Sequence, residues 1–309
     1  MHLQVAHTMV MRMNNNRDVI IALCSYLSKT DELNPLTPSE YSDLSSRLID
    51  KKINLTELLT LDDEGYKELL GYEESKIQRI QRLLERSASL SFEIEKLERI
   101  GIKIVTRADR DYPKMIKDKL GRKCPPLFYY VGNLNLLNKD IVSFVGSRHI
   151  DDHDISLTES LVNDLVKRNF VITSGGAKGV DRTATEKAIC IGASAIEFVS
   201  DSMIKRIRDI NVVNAIRDER MLIVSHINPS AGFSIGEAMA RNKYIYCSSF
   251  ATIVIKSDEN KGGTWAGAVE ALKNKYDNVY CVYNDNYSGN KKLIEMGAKR
   301  LDSIDDFEM

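Results

Sequence analysis

The chain has 309 residues, 43% of them apolar and 28% charged, with a net charge of −1; this is the make-up of a globular protein of about two domains. The near-neutral balance excludes a surface coated in cations, so any contact with nucleic acid must be a local basic pocket. No apolar segment is long enough to span a membrane, and the N-terminus lacks the pattern of a signal peptide; the expected location is the cytoplasm, with no membrane partner.

Residues 1–16, with Met9, Met11, Met13 and Asn14-Asn15-Asn16, read as a disordered tail. Residues 17–98 read as a small helical domain. Val19-Ile20-Ile21 and Leu23 open one helix, and Pro35 and Pro38 interrupt the chain. Thr37 or Ser39 caps the next helix, where Leu44, Leu48 and Ile49 recur at helical spacing. Leu69-Leu70-Gly71-Tyr72 precedes Ile77, Ile80, Leu83 and Leu84. Helix, glycine turn and helix resemble a helix-hairpin-helix or SAM-like unit. Two readings stand: a phosphate-contacting turn served by Lys76, Arg79, Arg82 and Arg86, or a packed bundle on which those cations form a solvated face.

From residue 99 to 309 strands and helices alternate, which implies a mainly parallel, Rossmann-like sheet with helices on both faces. Ile102–Val105 and Leu127–Val131 are strands separated by loops at Pro113, Pro125 and Pro126. The organising stretch follows. Ile141–Val145 breaks into Gly146-Ser147-Arg148, and Phe170–Thr173 breaks into Ser174-Gly175-Gly176-Ala177-Lys178-Gly179-Val180-Asp181. Both turns lie at the carboxyl ends of parallel strands, where ligands of open α/β sheets bind. Gly175, Gly176 and Gly179 are expected to take positive φ, and their N–H groups to favour an anion beside Arg148 and Lys178. The alternative is a pair of ordinary turns whose cations face solvent. Further on, Ser194–Val199 is a strand, Lys205–Arg220 a charged helix, Met221–Ser225 a strand and Gly236–Tyr246 a helix carrying Arg241-Asn242-Lys243. Ala251–Ile255 is a strand before the turn Lys261-Gly262-Gly263-Thr264. A helix over Trp265–Tyr276, a closing strand over Asn278–Tyr283 and a last helix from Asn290 complete the chain.

These blocks, in order, resemble the DNA-processing protein A (DprA or Smf) family, part of the Rossmann-like superfamily that includes the cytokinin-activating LOG proteins. The resemblance covers roughly residues 95–305 and rests on an ordered set. Its members are Gly101 through Tyr112-Pro113, Pro125–Tyr129 with Gly132-Asn133, Val145–Arg148, Ser174–Asp181, Arg241-Asn242-Lys243, Gly262-Gly263-Thr264 and Asn290–Ala298. It implies a protein that binds single-stranded DNA, protects it and loads a RecA-type recombinase in transformation or recombination, acting as a homodimer. The resemblance implies a DNA site at Gly146-Ser147-Arg148 and Lys178; Gly175, Gly176 and Gly179 of the same turn, with Arg241, Asn242, Lys243, Lys261, Gly262 and Gly263 at or near other expected turns and helix starts, are read as the rest of one basic DNA-binding pocket. Phe233, Tyr244 and Trp265 are candidate surfaces for splayed bases, with core positions as the alternative; Arg241 and Asn242 serve equally well as loop-pinning residues. The chain departs from the family between Val199 and Gly236, where Ser225-His226 stands in place of a Ser-Glu pair. That leaves room for a specialised member, for instance in phage defence.

Catalytic chemistry finds little support. His149 and His153 flank the first turn but read as surface groups, not a metal pair. The cysteines (Cys24, Cys124, Cys190, Cys247, Cys281) form no C-x-x-C pair. Glu270 lies one residue beyond the position of the catalytic glutamate in the similar LOG motif, a rotation of about 100° on a helix. No cofactor or metal is expected. The reading from a different class is a nucleotide-binding sensor or LOG-like nucleotide-processing enzyme that uses the same turns.

Overall fold

The computed structural model describes residues 15–27, 33–201 and 203–307. Most of the expected tail lies outside them; Asn15 caps the first helix by accepting from the Asp18 N–H at 3.0 Å, and Asn16 opens it. The chain divides into two compact units: residues up to Tyr112 with Gly121–Tyr129, and Pro113–Leu120 with Tyr130 onward.

The first unit contains α1 (Asn16–Cys24), α2 (Pro38–Asp50), α3 (Asp63–Leu70), α4 (Glu74–Glu85), α5 (Ser87–Arg99), β1 (Lys103–Thr106) and the first half of β2 (Leu127–Gly132). Thr37 opens α2 with a full capping box to Glu40. Gly71 ends α3 in the left-handed conformation, at φ 59°, where a side chain is strained. Three of the four cations near that turn are committed inside the unit. Lys76 faces the Tyr72 ring and Asp43, and Arg79 grips Glu40 and the carbonyls of Asn34 and Pro35. Arg86 is buried and donates to Ala22 O and Ser25 O at the end of α1, satisfying carbonyls a helix terminus leaves open. These three are thus neither free for a phosphate nor part of the solvated face of the packed-bundle reading; Arg82 alone of the four is exposed.

The second unit begins with α6 (Lys114–Leu120) and continues through β3 (Ile141–Val145), α7 (Asp152–Lys167), β4 (Val171–Ser174), α8 (Val180–Cys190), β5 (Ala195–Phe198), α9 (Met203–Arg206), α10 (Ile210–Arg217) and β6 (Met221–Ser225). It closes with α11 (Ile235–Ser248), β7 (Ala251–Val254), α12 (Gly262–Asn274), β8 (Asn278–Val282), α13 (Ser288–Glu295) and β9 (Lys299–Leu301). Its strands pair in parallel in the order β6-β5-β4-β3-β7-β8-β9. β3 through β7 are buried along their whole length, as expected of a sheet covered on both faces. From β3 the chain steps outward through β4, β5 and β6, then returns to β7 on the other side of β3. The order reverses there, so the crevice between the ends of β3 and β7 is a topological switch point. Packing of α7 on α8 and of α8 on α10 forms one layer; α11 on α12 and α12 on α13 form another.

Two expectations need correction. The charged segment Lys205–Arg220 is not one helix: it breaks between α9 and α10, where Asp209 accepts from the N–H groups of Asn211 and Val212. β8 does not close the sheet, because β9 pairs outside it, Tyr280 opposite Lys299. The Asn290 side chain, wholly buried, staples the far edge. Its amide donates to Val254 O, Ile255 O and Val282 O at 3.2, 2.9 and 2.9 Å, and its carbonyl accepts from Ser257 Oγ at 2.8 Å. Asn290→Ala strands these groups without partners and is expected to cost about 2–3 kcal/mol, read as a lowered urea midpoint at unchanged slope.

Candidate nucleic-acid interface

Two clefts open at the carboxyl ends of the strands. The first, of about 470 Å³, lies between the turn after β3 and the start of α12; the second, of about 440 Å³, lies over the Gly175–Lys178 turn. Arg148, Ala177, Phe233 and Arg241 line both.

Glycine lets the loops that frame them lie close. Gly176 and Gly179 have φ of 64° and 83°. A Cβ on Gly179 would lie 2.2 Å from Ser147 O and 2.8 Å from Arg148 Cα, so the two glycine turns pack directly on each other. Gly175 does not take positive φ as expected. Its requirement is space: a Cβ there would meet the Arg241 guanidinium at 2.4 Å. Further bonds lock the frame. Thr264 Oγ1 donates to Gly146 O at 2.9 Å, the Ser147 N–H donates to Lys256 O at 2.9 Å, and Asn242 Nδ2 donates to Gly263 O at 2.9 Å.

The implied DNA residues thus separate by place. Gly146, Ser147, Arg148, Arg241, Asn242, Lys261, Gly262 and Gly263 surround the first cleft; Arg148, Gly175, Gly176, Lys178 and Arg241 surround the second. Gly179 and Lys243 line neither, and Lys243 stands over the Tyr244 ring, 5.3 Å from its centre. Arg148, Lys178 and Lys261 are exposed. Arg241 is buried and its Nη1 donates to Gly175 O and Phe198 O, so it holds the second turn to the end of β5. Asn242 pins α12 in the same manner.

Of the aromatic candidates, Tyr244 is core, whereas Phe233 is 54% exposed with the Arg148 guanidinium 5.2 Å from its ring centre. Trp265 lines neither cleft. The loop bearing Phe233 is anchored where the sequence departs from the family pattern. His226 Nε2 meets Glu237 Oε2 on α11 at 2.9 Å, and burial pushes the His226 pKa down.

Three further residues were not anticipated. Arg182 and Lys205 join Lys178 around the second cleft. Beneath it, Glu197 of β5 is wholly buried and takes both arms of Arg206 at 2.7 Å, with Thr185 Oγ1 at 2.8 Å. A lone glutamate within an apolar strand was the available signal. Asp181 lies in the first cleft wall; burial pushes its carboxyl up to about 6, against the opposing pull of Arg241 and of the Ala177 and Gly175 N–H groups.

Glu270 is exposed on α12 and accepts from Tyr276 Oη at 3.2 Å. Asp151, His153 and Asp154 come within 4.8 Å of one another. The two aspartates, however, form the capping box of α7, and Asp154 is held by Lys256 at 2.7 Å and by the Tyr287 hydroxyl.

Parallel strands, a switch point and cation-lined glycine turns define a Rossmann-like ligand-binding domain. The chain belongs to the DNA recombination-mediator protein A family, whose model matches residues 103–309. It is 25% identical over 248 residues to the DNA processing protein DprA of Bacillus subtilis, covering 74% of this chain and 82% of that protein. Against DprA of Streptococcus pneumoniae it is 27% identical over 191 residues, covering 59% and 65%. The X-ray structure of the Streptococcus protein superposes with a TM-score of 0.67 at 22% identity, over 89% of this chain and 99% of that one, and shows the shared fold. DprA from Helicobacter pylori, solved for its single-stranded DNA binding mode, superposes with a TM-score of 0.54 at 25% identity, over 67% and 93%. No helix among the described residues is long and apolar enough to cross a membrane.

Proposed function

We propose that this chain binds single-stranded DNA across the two clefts and acts in DNA processing during transformation or recombination. In this reading it protects the strand and passes it to a RecA-type recombinase, as a cytoplasmic homodimer. The observation that carries the reading is the convergence of Arg148, Lys178 and Lys205 on one cleft without an ion pair to any of them among the described residues, beside the exposed Phe233 ring. Free cations answer phosphates, and an exposed aromatic face answers a base that is not stacked in a duplex. The single-stranded DNA bound by the Helicobacter relative supports the same ligand class.

Each phosphate contact contributes about 0.7 to the slope of log affinity against log salt for a single strand. Lys178→Ala and Lys205→Ala are each expected to weaken oligo-dT binding several-fold and to flatten that slope by about 0.7. Unchanged affinity and slope in both variants would remove the second cleft from the strand path.

A further inference from the structure

We infer that His226 is a proton-responsive positioning residue for strand binding: its neutral ring clasps the two ends of the loop that carries Phe233, and protonation releases them. The inference rests on the strand-binding reading and adds to it a control by pH.

The loop runs from the end of β6 to Ser234, the N-cap of α11. Its first half is tied down. Asn228 Oδ1 accepts from the Ser230 N–H at 2.9 Å, and the Ile204 N–H donates to Pro229 O at 3.3 Å. The second half is open: a Cβ on Gly232 would meet nothing within 4 Å, and Phe233 beside it is exposed, facing Arg148. A side-chain bond joins the two ends across eleven residues. His226, directly after β6, brings Nε2 to within 2.9 Å of Glu237 Oε2 in the first turn of α11. The His226 ring packs edge-on against the buried Tyr244 ring, 4.9 Å between centres, and its Nδ1 is buried without a hydrogen-bond partner.

These contacts select a protonation state. A neutral ring with its hydrogen on Nε2 donates to the Glu237 carboxylate and leaves only a lone pair at Nδ1. An imidazolium would place an N–H donor there, buried with no acceptor, at the cost of an unmade bond. The titratable and charged groups that act on the ring are Glu237, Lys243 and Arg241, with Tyr244 against its face; all four lie on α11. Burial holds the His226 pKa below its ordinary value, and the two cations push the same way. Glu237 pulls against them, but it is 44% exposed and screened by water. A histidine held down in this way strengthens the clasp in full above its free value of about 6.5, and that contribution is lost as pH falls below it.

Proton uptake elsewhere in the clefts acts with the opposite sign. Burial pushes the Asp181 carboxyl up to about 6, so acid removes a negative charge from the first cleft wall, and protonation of His149 adds a positive one. Both changes favour phosphate. Weaker strand binding in acid therefore singles out the clasp.

The test is fluorescence anisotropy of labelled oligo-dT with the full chain at one ionic strength, one pH unit above and one below about 6.5. Circular dichroism checks that the chain is folded at both. Loss of one stacked base corresponds to about fivefold in affinity, and the wild type is expected to weaken by about that factor at the lower pH. His226→Gln keeps an N–H for Glu237 and takes up no proton. It should match the wild type at the upper pH and hold that affinity at the lower. Phe233→Ala should bind about fivefold more weakly at both, with no further fall. Hydrogen exchange of the wild-type chain reads the loop without any variant. Amides of residues 226–234 should lose protection at the lower pH, after correction for intrinsic rates, while those of β6 keep theirs. Wild-type binding that is unchanged or tighter at the lower pH overturns this inference and leaves strand binding standing. A fall that persists in His226→Gln, or one without loss of loop protection, overturns it equally. Absence of oligo-dT binding at the upper pH overturns the strand-binding reading instead, and the exchange measurement then still decides whether acid opens the clasp.

Discussion

Gly179→Ala is expected to destabilise the second unit by about 4 kcal/mol, through a strained backbone and a direct clash together. Gly179 sits at φ 83° and ψ −137°, outside the space open to residues with a Cβ. Space fails as well, since the methyl would lie 2.2 Å from Ser147 O. That oxygen belongs to the backbone and accepts from the Val180 N–H at 3.3 Å, so it cannot move without releasing the start of α8. Relief requires the Arg148 loop to shift, so residual folded protein should also bind an oligonucleotide more weakly. Gly232→Ala is the control. That glycine has nothing within 4 Å of the added atom and no positive φ, and its replacement should stay within about 0.5 kcal/mol. Urea denaturation of the two variants reads the difference. Equal midpoints would show that the two glycine turns do not pack as described.

The second large effect is expected at Arg206→Met, about 3–5 kcal/mol, because it leaves the Glu197 carboxylate buried without its partner. Glu197 is wholly buried and Arg206 nearly so. The carboxylate packs under the second turn, where a Cβ on Gly176 would come within 2.9 Å of it. Nη1 of Arg206 also reaches Asp209, the cap of α10, at 3.1 Å. The pair therefore ties β5, α9 and the cap of α10 beneath the turn that presents Lys178. Replacing both partners by methionine should recover most of the loss, since a buried pair is often no better than apolar side chains of similar size. A double-mutant cycle by chemical denaturation measures this. Additive losses, with no recovery in the double variant, would mean that the two side chains do not interact.

Much of the second unit is legible in the sequence for one reason. Strands buried on both faces read as uninterrupted apolar runs, and Ile141–Val145, beside its glycine turn, and Met221–Ser225 stand out. Where the sheet is less buried the signal fails. β9 is Lys299-Arg300-Leu301, with two exposed cations, and a short charged edge strand resembles a loop. The break between α9 and α10 hides in a charged segment, because Asp209 reads as one more surface charge until its bonds to Asn211 and Val212 are known. Arg148, Lys178 and Lys261 were recognisable as turn cations. The burial of Arg241 was not, because it depends on carbonyls of Gly175 and Phe198, 66 and 43 residues away. Lys205 and Arg182 were missed because each lies on a helix whose place beside the turn is set by the fold.

The most direct test of strand binding is fluorescence anisotropy at fixed salt with labelled oligo-dT and its duplex, titrated with the wild-type chain and with Arg148→Ala. Arg148 borders both clefts and faces Phe233. The expected result is tighter binding of the single strand than of the duplex, with that preference lost in Arg148→Ala while the variant's urea midpoint stays unchanged. Equal affinity of wild type for strand and duplex, or full single-strand affinity in Arg148→Ala, would contradict the assignment of these clefts to single-stranded DNA.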